Sequence, residues 1–236
     1  MTPLQPDMPV KVCGLNCSLK SSDKPSNTSV MMQDVVDWMR DHDDIDYDEI
    51  RVADYNIKPG VEWDEGEGDD WPKIGERVLA AEVLLFGTPI WIGHPSSIAQ
   101  RVIERMDAWL FSYDDLGRKK VYGRVAGVAI TGNEDGGHHV FAECAQALND
   151  VGFVLPPESR VYWTGWTDES PGPNYASAGR GHKSVEYMGQ HMARNLVVFA
   201  HTMREITPKI APLPSDVEVA SHPDEAIARA KALHES

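Results

Sequence analysis

The feature that most constrains the fold is a set of short apolar runs that each lead into a polar or glycine-containing loop. The clearest run, residues 82–87 (EVLLFG), is unbroken, which is typical of a strand covered on both faces of a sheet. Similar runs at 10–15 and 124–131 predict two more buried strands. Such strands need helices on both sides, and a chain of 236 residues is long enough to supply them.

Segments with helical periodicity separate these strands. Helices are predicted at about 30–40, 71–81, 97–110, 138–150 and 182–202, with further strands at 48–53 and, as two short pieces, at 153–155 and 161–163. Thr88-Pro89 is predicted to end the third strand, and Asn27 or Thr28 to cap the first helix. Five strand–helix units predict an α/β fold, a doubly wound parallel sheet of order 2-1-3-4-5. Ligands of such sheets lie beyond the strand carboxyl ends, here between the first and third strands.

The chain divides into one large unit with a segment at each end. Residues 9–205 are predicted to form the domain, and residues 1–8 an N-terminal tail. Residues 206–236 are predicted to be a proline-containing tail with a short helix near 224–234. The stretch 56–70 is acidic and glycine-rich, and we interpret it as a solvated surface loop.

Charge and composition argue against several classes of partner. The 22 Lys and Arg stand against 37 Asp and Glu, and a formal charge of −15 disfavours nucleic acids and anionic membranes. No segment approaches the roughly 18 to 20 consecutive apolar residues of a membrane span, and no secretory signal pattern precedes the first strand. The three cysteines fit a reducing compartment, with Cys13 in the core and Cys17 in a loop where it could be exposed. We therefore expect a cytoplasmic protein.

The loop after the first strand has the chemistry of a phosphate site. Its serine, threonine and asparagine side chains precede a helix, and hydroxyls, N–H groups and a helix dipole together suit a phosphate dianion. A capped loop without any ligand is the alternative. Neither the glycine-rich loop of nucleotide hydrolases nor the dinucleotide fingerprint is present.

Two further loops follow the third and fourth predicted strands. The loop TPIWIG at 88–93 brings apolar and aromatic side chains to a strand end, where a flat heteroaromatic ring would pack; alternatively Trp91 covers the core. The loop TGNEDGG at 131–137 offers polar groups that could read the edge of the same ring, and Asp135 could also cap the next helix.

Three strings, GLNCSLKSSDKPSNT, GTPIWIGHPSSIAQRVIERMDAW and TGNEDGGHHVFAECAQALNDVGF, resemble the FMN loops of the NADPH-dependent FMN reductases. That group belongs to the flavodoxin superfamily and is akin to the tetrameric NAD(P)H:quinone oxidoreductases. The resemblance covers roughly residues 9–204. It implies a flavodoxin-like fold, bound FMN, and NADPH or NADH as electron donor. It also implies a small-molecule acceptor such as a quinone or flavin, and a homodimer or homotetramer.

The resemblance also implies a set of contact residues. Those implied for the phosphate are Ser18, Ser26, Asn27 and Thr28. Those implied for one side of the isoalloxazine ring are Pro89, Ile90, Trp91, Ile92 and Gly93, and for the other side Thr131, Gly132, Asn133, Glu134, Asp135 and Gly136. The chain departs from the family in the first loop, which is longer and carries Lys20 where an arginine is frequent. The acidic stretch 62–70 is also outside the family pattern.

Some other residues have more than one interpretation. His138 and His139 are adjacent on a helix and point about 100° apart, which makes them a poor chelate, although His138 could contact a substrate. His94 could lie at the mouth of the site. Trp166 and Tyr175 could cover the ring, contact a partner subunit or pack on the sheet edge.

No catalytic side chain and no metal ligand is assigned. A flavodoxin-type carrier that docks a redox partner through its acidic surface is the alternative function.

Overall fold

The structure, a computed structural model, describes residues 8–165 and 171–211, together with His222 and Asp224. Trp166, for which a role was predicted, is outside these residues, as is nearly all of the predicted helix at 224–234. The predicted domain limits stay a prediction. Among the described helices, none is both long and apolar enough to cross a membrane.

Strands and helices alternate along the described chain. The strands are β1 (Val10–Asn16), β2 (Ile45–Arg51), β3 (Val83–Trp91), β4 (His94–Pro95), β5 (Val125–Thr131) and β6 (Arg160–Trp163). The helices are α1 (Asn27–Arg40), α2 (Trp71–Ala80), α3 (Ser97–Met106), α4 (Gly137–Val151) and α5 (Lys183–Ile206). A π-helical turn covers Tyr175–Gly179, within a segment that we predicted to be loop.

The five main strands pair in the order β2-β1-β3-β5-β6, and all of these pairings are parallel. Because β5 and β6 are the fourth and fifth strands predicted from the sequence, the order 2-1-3-4-5 is confirmed. The two-residue β4 is an addition, which pairs antiparallel with the end of β3. The winding direction reverses between β1 and β3, and this is where such sheets bind their ligands.

Both faces of the sheet are covered, as the apolar strands predict. The alternation in β1 shows this: Leu15 packs in a cluster with residues of α2, α3 and α4, whereas Val12 packs in a second cluster with residues of α1 and α5. Alternate residues of a strand point to opposite faces. The sheet therefore has three helices on one side and two on the other.

The prediction that Thr88-Pro89 ends the third strand is wrong. Pairing of β3 with β1 stops at Gly87, but pairing with β5 continues to Pro89. Beyond Gly87 the strand is therefore an edge on its β1 side, where a residue without an N–H group is tolerated. The strand continues to Trp91 and turns back into β4.

Two smaller predictions also need correction. The cap of α1 is Ser26, which has extended backbone geometry, and not Asn27 or Thr28. Of the two short pieces predicted for the fifth strand, only 160–163 is a strand, because Val154 makes a single isolated bridge to Val125.

The acidic stretch is not solvated throughout. Asp64 and Glu67 are exposed, but the Asp69 side chain is fully buried against that of Arg105, with Nη2 and Oδ2 2.8 Å apart. Burial alone would raise the pKa of Asp69, yet the guanidinium and three backbone N–H groups hold this pKa well below its usual range. Arg105 also donates to the carbonyl oxygens of Lys58 and Glu62, so it binds the acidic stretch to α3.

Candidate functional site

A groove with a volume of about 230 Å³ lies beyond the carboxyl ends of β1, β3 and β5. Its walls come from the loop after β1, the end of β3, the loop after β5 and a later segment of the chain. The lining residues are Ser18, Leu19, Lys20, Ser26, Asn27, Thr28, Pro89, Ile90, Trp91, Thr131, Gly132, Asn133, Asn174 and Tyr175. The remaining residues implied by the resemblance, Ile92, Gly93, Glu134, Asp135 and Gly136, do not line the groove but belong to the same two loops.

One end of the groove is polar and buried. Ser18, Ser26 and Thr28 are all buried, although each carries a hydroxyl group. The Oγ atom of Ser26 accepts a hydrogen bond from the N–H of Ser29 and so caps α1, while the hydroxyl oxygens of Thr28 and Thr131 lie 2.8 Å apart. Because the first N–H groups of a helix have no partner within it, this end is suited to an anion.

The loop after β1 is held from outside by Arg51 of β2. Its guanidinium donates to the carbonyl oxygens of Lys20 and Ser21, each at 3.2 Å, and to that of Lys24 at 3.4 Å. The ammonium group of Lys20 itself donates to the carbonyl oxygen of Pro25. Lys20 therefore both lines the groove and stabilises the long loop that distinguishes this chain.

The other end of the groove is apolar and exposed. β3 and β4 form a hairpin whose two turn residues, Ile92 and Gly93, have φ angles of 53° and 77°. Positive φ at both positions is the geometry of a tight two-residue hairpin turn, which costs a β-branched residue of the order of 1–3 kcal/mol. The side chains of Trp91 and Ile92 are 52% and 88% exposed. The Ile92 N–H donates to the Glu134 carboxylate at 2.9 Å, which joins the hairpin to the loop after β5.

Glycine is required where the loop after β5 meets the hairpin. A Cβ atom on Gly136 would lie 2.9 Å from the Cα of Gly93, and one on Gly132 would lie 2.9 Å from the Cδ1 of Ile90. The backbones of the two loops therefore pack directly on each other. Gly136 is also the N-cap of α4, so Asp135 does not take the capping position.

The fourth wall of the groove is formed by Asn174 and Tyr175, of which only Tyr175 is a candidate from the sequence. The Tyr175 side chain is buried, and its hydroxyl donates to Asp34 Oδ2 at 2.8 Å, while Arg180 donates to Asp34 Oδ1 at 2.7 Å. Burial, and then the hydrogen bond to Asp34, raise the pKa of Tyr175 far above its usual range. The Ala176 N–H also donates to the side-chain oxygen of Asn27. Asp34 and Asn27 of α1 thus hold this segment against the groove, and no local pattern around residue 34 signals that contact.

Two other residues lie differently from the expectations. Cys17 is fully buried, and burial raises the pKa of its thiol well above its usual value, so it is not a reactive surface thiolate. His94 follows the hairpin turn but does not line the groove, and its ring contacts Glu143 of α4.

Comparison with known proteins decides the family. The family model described as NADPH-dependent FMN reductase matches residues 10–168, more than half of the chain. The chain belongs to this family. Membership in the NADPH-dependent FMN reductase family supports FMN as the cofactor and NADPH or NADH as the electron donor, and it places the chain among flavin-dependent oxidoreductases.

Two relatives show how the chain compares with other proteins. It is 34% identical over 197 residues to the divalent metal cation transporter MntH of Mycobacterium bovis, a match that covers 80% of this chain and 28% of that protein. The chain thus spans about a quarter of that relative's length. It is 27% identical over 224 residues to 8-demethyl-8-aminoriboflavin-5'-phosphate synthase of Streptomyces davaonensis, covering 91% of this chain and 84% of that protein.

A solved structure is similar over almost the entire chain. RosB, with the bound intermediate 8-demethyl-8-formylriboflavin-5'-phosphate, shares 28% sequence identity and a TM-score of 0.75 with this family member. The match covers 96% of this chain and 88% of RosB.

The residues of the groove suit FMN. A phosphate group needs N–H and hydroxyl donors, which the Ser26 end of α1 and its neighbouring hydroxyl side chains provide. A flat ring needs apolar surface, which Ile90 and Trp91 provide at the other end. The donor set and its separation into two ends therefore match a molecule that carries a phosphate at one end and a flat ring at the other.

Proposed function

We propose that this chain is an FMN-dependent oxidoreductase that takes a hydride from NADPH or NADH and passes electrons to a small acceptor such as a quinone or a flavin. The observation that carries the proposal is the groove itself. It is polar and buried where α1 begins, and apolar and exposed at the hairpin. A homodimer or homotetramer in the cytoplasm remains a prediction.

The polar end would hold the phosphate. Ser18, Ser26 and Thr28 would donate hydroxyl hydrogen bonds, and the Asn27 and Thr28 N–H groups would add the charge of the helix N-terminus. A net charge of −15 does not oppose this, because the anion is bound by local dipoles and not by the charge of the whole surface.

The apolar end would hold the ring and leave room for a second molecule. Bound FMN supplies hydride acceptance at N5 and electron release to the acceptor, so the protein needs no acid or base of its own. Ile90 would cover one side of the ring and Trp91 its edge, and backbone N–H groups of the loop after β5 would stabilise negative charge on the pyrimidine edge. The exposed hairpin side chains leave a surface where nicotinamide and acceptor can bind in turn.

Absorbance and turnover measurements test this proposal. The purified protein, or the protein after addition of FMN and gel filtration, should show the near-ultraviolet and visible absorption bands of a bound flavin. Under anaerobic conditions, NADPH or NADH should bleach the visible absorption band, and a quinone should restore it. Failure to retain FMN would overturn the proposal. Retention without bleaching by either nicotinamide would indicate an electron carrier that docks a protein partner.

A second candidate function is chemical modification of a flavin phosphate itself. It is favoured by the similarity to the Streptomyces davaonensis synthase and to RosB, at 27% and 28% identity over most of each chain. In this case FMN would leave the groove changed. Incubation with FMN, an amine donor and oxygen, followed by mass spectrometry of the released flavin, separates the two functions: an altered mass supports modification, whereas unchanged FMN with NADPH turnover supports the reductase.

A further inference from the structure

Three side chains with metal-binding chemistry meet beside the hairpin, outside the groove. His94 lies on β4, and His139 and Glu143 lie four residues apart on α4, which places them on one face of that helix. The Nδ1 atom of His94 is 3.1 Å from Glu143 Oε1, and the Nε2 atom of His139 is 2.9 Å from the same oxygen. One ligand atom from each residue lies within 4.8 Å of the others.

These distances are close to those around a bound transition metal. With metal–ligand bonds of about 2.0–2.1 Å, neighbouring ligands of a tetrahedral zinc ion are about 3.3 Å apart. The His94 and His139 rings stand nearly perpendicular, with centroids 4.9 Å apart, so their nitrogens approach the carboxylate from different directions. The three side chains are 61%, 55% and 35% exposed, which leaves them free to open by a few tenths of an ångström around an ion.

The backbone brings these residues together independently of any ion. Gly93, next to His94, packs directly on Gly136 at the start of α4, and Glu134 accepts the N–H of Ile92 in the hairpin turn. The hairpin is therefore already fixed against α4 on the side where the histidines meet. A preformed arrangement of this kind binds an ion without first ordering its ligands.

We propose that His94, His139 and Glu143 form a binding site for a divalent transition-metal ion such as Zn²⁺, which joins the hairpin to α4. Two imidazoles with one carboxylate favour zinc, nickel or copper over magnesium or calcium, which prefer oxygen ligands. Three protein ligands leave a fourth position for water or another small ligand. The proposal does not depend on the redox function, because the cluster lies outside the groove.

Calorimetric titration tests the site directly. The tag-free, FMN-loaded chain is treated with EDTA, dialysed and titrated with ZnCl₂. We expect the unchanged protein to bind one Zn²⁺ per chain. Each of His94→Ala, His139→Ala and Glu143→Gln should weaken the affinity at least about tenfold. His138→Ala is the matched control, because it removes the adjacent histidine that points elsewhere on α4, and it should bind Zn²⁺ like the unchanged protein.

A thermal melt provides the second readout. Since the three side chains are on the surface, their variants should unfold at the same temperature as the unchanged protein without metal. Zn²⁺ should then raise the unfolding temperature of the unchanged protein and of His138→Ala only. Failure to bind Zn²⁺ with a Kd below about 1 mM would overturn the proposal. So would equal binding by the His94→Ala variant, or an equal loss in His138→Ala.

Discussion

The two ends of the groove are built in opposite ways. At the end where α1 begins, the hydroxyl-bearing Ser18, Ser26 and Thr28 are buried. At the hairpin end, the apolar side chain of Trp91 is half exposed, and that of Ile92 in the adjacent turn is almost fully exposed. Buried polar groups are normally satisfied within a protein, and clustered exposed apolar groups normally mark a surface that something else covers. The comparison indicates that the polar side chains of the first end are packed in place before a ligand binds, while the apolar surface of the second is covered by the ligand.

The two ends also differ in the sequence separation of the contacts that stabilise them. The hairpin turn at Ile92-Gly93 is a local structure, held by Glu134 from the neighbouring loop. The polar end depends on contacts across the whole domain, since Asp34 of α1 binds Tyr175 and Arg180 near the other end of the described chain. Loss of these long-range contacts should therefore lower stability as well as binding, and damage at the hairpin should lower binding alone.

Ser26→Asp should have the largest effect on affinity. Aspartate caps a helix as well as serine does, so the unfolding temperature should not change. A carboxylate about 4 Å from a phosphate costs about 4 kcal/mol at an effective dielectric of about 20, so FMN should bind at least about a hundredfold more weakly. Fluorescence titration with FMN and with riboflavin measures this, and riboflavin, which has no phosphate, should bind as before.

Ser26→Asn is the control for that change. It preserves the cap without adding charge, and its FMN affinity should stay within a few-fold of the unchanged protein. If Ser26→Asp weakened riboflavin as much as FMN, the phosphate would not lie at this end, and the assignment of the two ends would be reversed.

Asp34→Ala should have the next largest effect. It leaves the buried Tyr175 hydroxyl without its acceptor and frees Arg180, which should lower the free energy of unfolding by about 2–3 kcal/mol. FMN should bind about tenfold more weakly, because the wall at residues 174–180 is no longer held. Urea denaturation and flavin titration measure the two effects.

Asp37→Ala, three residues later on the same helix, is the matched control. Its carboxylate accepts hydrogen bonds from Arg40 and Gln33 at the surface, and such exposed contacts contribute at most about 1 kcal/mol to stability. A loss of stability in Asp34→Ala no larger than that of Asp37→Ala would show that the polar end does not depend on this distant contact.

The sequence predicted the sheet better than it predicted the groove. Buried parallel strands have continuous apolar runs, such as 82–87, and these runs determined the strand order through the alternation with helices. The positions of the candidate ligand loops could then be predicted, because ligands of such sheets lie at the carboxyl ends of the strands. The predicted end of β3 at Pro89 is too early. Proline argues against a strand unless the neighbouring strand, here β1, is known to have ended on that side.

The contacts that were missed are those between residues far apart in the chain. No sequence feature separates Asp34 from the other polar positions of α1, because its role depends on Tyr175 and Arg180. Asp69 looked solvated because its neighbours are acidic, and its burial depends on Arg105 in α3. Single-sequence patterns describe local preferences, and they contain no signal for which distant charge a carboxylate will meet.

Trp91→Ala should have a smaller effect, confined to binding. Removing an aromatic side chain from contact with a flat ring costs about 1–1.5 kcal/mol, so both FMN and riboflavin should bind about tenfold more weakly. The unfolding temperature should stay constant because the side chain is half exposed. Phe111→Ala removes a similarly exposed aromatic ring that does not line the groove, and it should change neither affinity. If Trp91→Ala weakened the binding of FMN but not of riboflavin, the assignment of Trp91 to the ring end of the groove would be contradicted.

Glu134→Ala should have the smallest effect, and it tests whether the hairpin is ordered before the flavin binds. The carboxylate accepts only one hydrogen bond from the hairpin, that of the Ile92 N–H, in an exposed position, which contributes about 0.5–1 kcal/mol. Both flavins should therefore bind about two- to fivefold more weakly, through greater freedom of Trp91. Glu134→Gln retains a side-chain oxygen that can accept the same bond and should bind as the unchanged protein does. If both variants weakened binding equally, the charge of Glu134 and not its hydrogen bond would support the ring end of the groove.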